Sequence, residues 1–133
     1  MRQSIRTHGQ NMDISPSKMR EYREGWRRRQ AEERAAQERL RARAWAVAHR
    51  GAVLLRERFG ARRVVLFGSL ARGDPLDAHS DVDLAAWGID ERAYLRAISQ
   101  LLDLDPVIPV DLVRAEEASP SFLEEIEREG VEL

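Results

Sequence analysis

Five residues, Arg63-Val64-Val65-Leu66-Phe67, constrain the fold more than any other stretch of the chain. The run is apolar and β-rich without alternation, and Gly68 breaks it, so it reads as a buried central strand. A buried strand needs partners, and the sequence supplies them. A polar loop of Gly73, Asp74, Pro75 and Asp77 leads to a second strand, Asp81 to Trp87. Pro106 and Pro109 bracket a break before a third, Val110 to Arg114, and Val131-Glu132-Leu133 can add an edge strand. Helices alternate with these strands. Tyr94, Leu95, Ile98, Leu101 and Leu102 fall on one side of a helix over 91–102, and Ser119-Pro120 opens a last helix that runs through Glu129 and closes at Gly130.

Upstream, Ser15-Pro16 starts a helix that runs to about Arg58 and stops at Gly60. An apolar stripe appears only from Leu40, at Leu40, Ala44, Val47, Gly51 and Leu54/Leu55. Between Arg27 and Glu38 nearly every residue is Arg, Glu, Gln or Ala. Opposite charges recur four apart in Glu24/Arg28, Arg29/Glu33 and Arg34/Glu38, which reads as a solvated surface. The expected class is therefore α+β or α/β: a small mixed sheet with flanking helices, preceded by a long N-terminal helix. The organisation expected is a flexible leader over 1–15, a charged helical extension over 16–46 and a domain over 47–133.

Charge divides the chain the same way. Residues 1–60 carry 15 basic and 7 acidic residues, net +8, whereas 61–133 carry 7 basic and 16 acidic, net −9. A basic appendage on an acidic domain can meet nucleic acid, an acidic partner or a second copy, or it can be a solvated helix surface. Because Arg alternates with Glu, protein contact is expected over sequence-specific nucleic-acid recognition. Tyr22 and Trp26, outside any obvious core, mark such a contact, while Trp45, Trp87 and Tyr94 are expected in the core. With 0 cysteines, disulfides, thiol nucleophiles and cysteine metal sites are excluded. The lack of an apolar stretch of signal-peptide or membrane-spanning length leads to a cytoplasmic protein without membrane contact as the expectation.

The chemistry concentrates in Ser80-Asp81-Val82-Asp83-Leu84. Side chains two apart on a strand share a face, so Asp81 and Asp83 project together while Val82 and Leu84 point into the core. Asp111, between Val110 and Leu112, repeats the arrangement on a later strand and can add a third carboxylate. Three converging carboxylates repel one another unless divalent cations neutralise them, and oxygen-only ligands select Mg²⁺ or Mn²⁺. The turn Gly68-Ser69 can turn backbone N–H groups and a hydroxyl toward an anion, and Gly68 would let phosphate approach the backbone. Arg72 can hold phosphate or cap the surface. A Walker loop is excluded because Asp74 stands where that motif needs Lys. Asp74, Asp77 and His79 read as loop polars beside the metals, and His8 and His49 show no partner pattern.

These residues together resemble a known family. The string GSLARGDPLDAHSDVDL at 68–84, VDLV at 110–113 and the tail SPSFLEEIEREGVEL are similar to minimal nucleotidyltransferase (MNT) proteins of the DNA polymerase β-like superfamily, over about residues 47–133. The resemblance implies the polymerase β-like nucleotidyltransferase fold, with Gly68 and Ser69 on the triphosphate, Asp81 and Asp83 on two Mg²⁺ ions, and Asp111 as the third carboxylate that activates the incoming hydroxyl. It also implies ATP as substrate and, as in many MNT antitoxins, transfer of AMP to a tyrosine of a HEPN ribonuclease toxin. The charged segment 16–43 exceeds what a minimal domain needs and could join two copies of the chain. Two other readings remain open at this point: a non-catalytic binding antitoxin or regulatory module, and a nucleotidyltransferase acting on a small molecule.

Overall fold

The computed structural model describes residues 14–133. The leader expected over 1–15 therefore lies, up to residue 13, outside the described residues. The order of elements is α1 (Pro16–Phe59), β1 (Arg63–Phe67), α2 (Gly68–Arg72), β2 (Val82–Trp87), a 3₁₀ turn (Glu91–Ala93), α3 (Tyr94–Leu102), β3 (Val110–Arg114), a second 3₁₀ turn (Ala115–Glu117), α4 (Pro120–Glu129) and β4 (Val131–Glu132). The chain divides after Ala36 into two compact units, and everything from Gln37 to Leu133 belongs to the second. No described helix is long and apolar enough to cross a membrane.

The helix α1 starts where its cap predicts: Ser15 Oγ accepts from Lys18 N–H at 3.3 Å. Within the first unit Tyr22 and Trp26 stay 74% and 57% exposed. Among the described residues, none of the three charge pairs four apart along this helix closes into an ion pair. The reason is energetic, since an exposed pair gains at most about 0.5 kcal/mol and must freeze two long side chains to do so. Polar side chains nearer the core do bond. Arg43 forks onto both oxygens of Asp105 at 2.8 and 3.0 Å, and its hydrogen bonds hold the Asp105 carboxyl down at about 2.

In the second unit the sheet runs β3-β2-β1-β4, with β1 antiparallel to β2 and β4, and β2 parallel to β3. Period two then sorts its residues onto two faces. Val64, Leu66, Val82, Leu84, Ala86, Val110 and Leu112 fill the main core with Val47, Ala48 and Leu55 of α1 and Ala97 and Leu101 of α3. A Cβ at Gly51 would lie 2.9 Å from Leu84 Cδ1, so α1 approaches the sheet closely at that point. On the opposite face Val65, Ala85 and Ile126 form a smaller cluster with Phe67, Trp87 and Phe122 beneath α4, whose N-cap Ser119 Oγ accepts from Phe122 N–H at 3.2 Å. That second face is apolar only along part of its length. Its other end carries the carboxylates.

Candidate active site

The strand register assembles the site. Phe67 of β1 pairs with Asp83 of β2, and Asp83 pairs with Asp111 of β3, so the two aspartates stand side by side across adjacent strands. Asp81 sits one residue before β2 rather than within it. It nevertheless keeps the extended phase, because Val82 N–H continues the pairing onto Pro109 carbonyl at 3.0 Å. One carboxylate oxygen from each of Asp81, Asp83 and Asp111 lies within 4.8 Å of the other two. Among the described residues this is the one cluster of three or more His, Cys, Asp or Glu that could hold a metal.

Where the sequence suggests a Gly-Ser turn, the structure has the five-residue helix α2. Gly68 opens it at φ +78°, and a Cβ there would come within 2.2 Å of Asp83 Oδ2. Glycine is thus required twice, by backbone handedness and by contact with a site carboxylate. Gly73 ends the helix at φ +80°, and Asp74 N–H returns to Ser69 carbonyl at 3.0 Å.

Arg72 is tied to two acids. Its Nε donates to Asp74 Oδ2 at 3.0 Å and its Nη1 to Glu129 Oε2 at 3.3 Å. Its positive charge also opposes the rise of the Asp83 pKa. The loop polars fold on themselves: Asp77 Oδ1 accepts from His79 N–H at 2.7 Å, and Ser80 Oγ accepts from Asp77 N–H at 2.8 Å. Sequence reasoning overlooked two further residues here, Gln37 and Arg41 of α1, which bond to this loop. Their only signal was spacing, since residues four apart share a helix face.

The electrostatics favour a cation. Partial burial, then the charges of Asp81 and Asp111, push the Asp83 carboxyl up to about 6. Asp81 is also raised, by burial first and then by its hydrogen bond and charge interaction with Asp111. An all-oxygen set of converging, mutually repelling carboxylates suits Mg²⁺ or Mn²⁺.

A stability test follows. Asp83 holds its proton more tightly in the folded state than the ordinary value of 3.8, so its contribution is present below about 3.8 and is lost as pH rises through about 6. The full shift would correspond to about 3 kcal/mol, but Asp83 is roughly half open to solvent and screening leaves on the order of 1 kcal/mol. We expect metal-free Asp83→Asn to melt a few degrees above wild type at pH 7.5, to keep about half of that advantage near pH 5 and to lose nearly all of it below the ordinary value of 3.8, by scanning fluorimetry in EDTA. Equal melting temperatures at pH 7.5 would refute the cost of holding a charged carboxylate at this partly buried, acidic position.

Comparison with known proteins bears on the same residues. The chain matches the domain family "Polymerase beta, Nucleotidyltransferase" over residues 53–133, a span that includes Gly68, Ser69 and all three aspartates. The chain belongs to this nucleotidyltransferase family. Its polymerase β-like fold has solved counterparts. One, assigned as a minimal nucleotidyltransferase, is 35% identical, with 73% of this chain and 95% of that chain covered at a TM-score of 0.51. A toxin–antitoxin complex solved with AMP-PNP is 26% identical, with coverage of 61% and 67% and a TM-score of 0.53. The complex of tri-AMPylated Shewanella oneidensis HEPN toxin with MNT antitoxin is 22% identical, covers 67% and 70% at a TM-score of 0.52, and shares the fold. No curated protein matches the sequence significantly.

Proposed function

We propose that this nucleotidyltransferase moves AMP from ATP to a hydroxyl of a protein partner, and that it serves as an antitoxin whose acceptor is a HEPN ribonuclease toxin. The observation that carries the reading is the convergence of Asp81, Asp83 and Asp111 beside Gly68 on a nucleotidyltransferase fold. The 26% likeness to a toxin–antitoxin complex solved with AMP-PNP supports both the nucleotide and the setting. In this reading residues 47–133 are the catalytic module and 16–46 the charged extension, working in the cytoplasm where ATP is available.

Asp81, Asp83 and Asp111 would hold Mg²⁺, as two ions, with Mn²⁺ as a substitute. Bound there, the metal would supply positive charge against the triphosphate and the charge that develops in transfer. The Ser69 hydroxyl and the amides of the first turn of α2 would receive the outer phosphates, with Arg72 at their edge. The acceptor oxygen attacks the α-phosphorus, its proton passes to Asp111, the bond to the bridging oxygen breaks, and pyrophosphate departs. The test is transfer of label from α-labelled ATP to a co-purified HEPN partner, with calorimetry of ATP binding with and without EDTA. Tight ATP binding in EDTA that is indifferent to Asp81→Asn with Asp83→Asn would sink the metal assignment.

The extension is assigned to partner contact, because Tyr22 and Trp26 stand exposed among Arg and Glu side chains. Replacing both with Ala should weaken partner binding or self-association by about 30-fold, as loss of an aromatic anchor typically does, while ATP binding stays unchanged. Strong sequence discrimination on duplex DNA at physiological salt would overturn this assignment.

A further inference from the structure

Eight residues, 73–80, connect α2 to the first site carboxylate without forming a strand, and their path is held from outside by α1. The Gln37 amide donates to the Leu76 carbonyl, and its own carbonyl oxygen accepts from Leu76 N–H at 3.0 Å. One side chain thus satisfies both backbone groups of Leu76, as a neighbouring strand would. One helical turn on, Arg41 Nη2 donates to the Asp74 carbonyl at 2.9 Å. The Leu76 side chain is only 3% exposed and sits in the main core. Beyond it, Ser80 N–H closes on Asp77 carbonyl at 3.1 Å and delivers the chain straight into Asp81.

We propose that Gln37, assisted by Arg41, is a positioning residue for nucleotidyl transfer: it clamps loop 73–80 to α1 and so sets where Asp81 stands relative to Asp83 and Asp111. The kinetic part of this inference rests on the transferase reading above. Asp83 and Asp111 lie on paired strands and keep their places without help. Asp81 lies outside the strand, one residue past the loop, so the sheet steadies it only from its C-terminal side, through Val82 N–H on the Pro109 carbonyl. Without Gln37, the Leu76 N–H and carbonyl must either remain unpaired or move out to water, and an unpaired buried backbone group costs about 1–3 kcal/mol. The loop therefore opens, and the metal site loses one ligand's alignment while retaining two.

Gln37→Met keeps side-chain length and removes both bonds; Gln37→Glu keeps the acceptor for Leu76 N–H and removes the donor. Hydrogen exchange on the metal-free full chain reads the loop, and label transfer as a function of Mg²⁺ concentration reads the site. In Gln37→Met, amides across 74–81 should exchange faster. The Mg²⁺ concentration for half-maximal transfer should rise about tenfold, the lower end for loss of groups that orient metal ligands. Transfer at saturating Mg²⁺ should largely recover, and Gln37→Glu should fall between Met and wild type. Lower melting temperatures with an unchanged Mg²⁺ requirement would mean a purely structural role and would overturn the proposal, as would unchanged exchange in Gln37→Met. Should Gln37→Met fail to fold, Arg41→Met is read by the same two measurements, with smaller changes in the same direction expected and no change overturning the proposal. If wild type labels no partner while Gln37→Met still speeds exchange, the transferase reading fails and the clamp stands.

Discussion

Asp111→Asn should reduce label transfer from α-labelled ATP to the partner by about 10²- to 10⁴-fold, the range for loss of positioned proton transfer, while partner binding survives. Asn keeps the volume and removes the charge. Asp111 is exposed, pairs through its backbone with Asp83 and contributes nothing to either apolar cluster, so the variant should fold, and loss of its charge relieves repulsion at Asp81 and Asp83. The loss would then belong to chemistry. Measured in cells, the same variant separates catalysis from stoichiometric neutralisation. A variant that protects against the toxin as well as wild type would show that contact alone suffices and would replace the enzymatic reading with the binding one.

Gly68→Ala should fail more broadly. A non-glycine residue at φ +78° costs on the order of 1–2 kcal/mol. The new Cβ would also meet Asp83 Oδ2 at 2.2 Å, and the only soft response is for the Asp83 carboxylate to swing aside. A displacement of about 1 Å in a reacting constellation costs about 10²-fold, so transfer should fall by at least that much. Gly73→Ala is the control. Gly73 has nearly the same φ, +80°, but a Cβ there meets nothing within 4 Å. Its stability loss should be no larger than that of Gly68→Ala, because only the backbone strain is shared, while its transfer activity stays close to wild type. Equal activity losses in the two variants would show that backbone strain, and not the contact with Asp83, is what Gly68 avoids.

The limits of Arg72 and of the charged helix show where reading residues one at a time stops. Arg72 could be read as a phosphate ligand or as a surface cap, and nothing local distinguishes these. Its bond to Asp74 is local, but its bond to Glu129 depends on α4 returning beside α2, fifty-seven residues further along the chain. Along α1, opposite charges at helical spacing read as a solvated surface and form no ion pairs among the described residues, because spacing permits a contact without making it favourable in water. Gln37, Arg41 and Arg43 of α1 do bond, and each finds its backbone or carboxylate partner in a loop distant in sequence.

By itself the sequence determined the elements and their faces: the apolar run at 63–67, the caps at Ser15 and Ser119, the stops at Gly60 and Gly130, and the common orientation of Asp81 and Asp83. These are short-range consequences of periodicity, propensity and capping, set by residues within one helical turn or one strand of each other. Only the tertiary structure decided which strands are neighbours. That choice put Asp111 beside Asp83, brought Gly68 within a Cβ of the Asp83 carboxylate, and gave the loop before Asp81 its anchor on α1. The physical reason is that strand order and register follow from burying Val64, Leu66, Val82, Leu84, Val110 and Leu112 against one shared core, a free energy that belongs to the assembled sheet and helices and to no single segment.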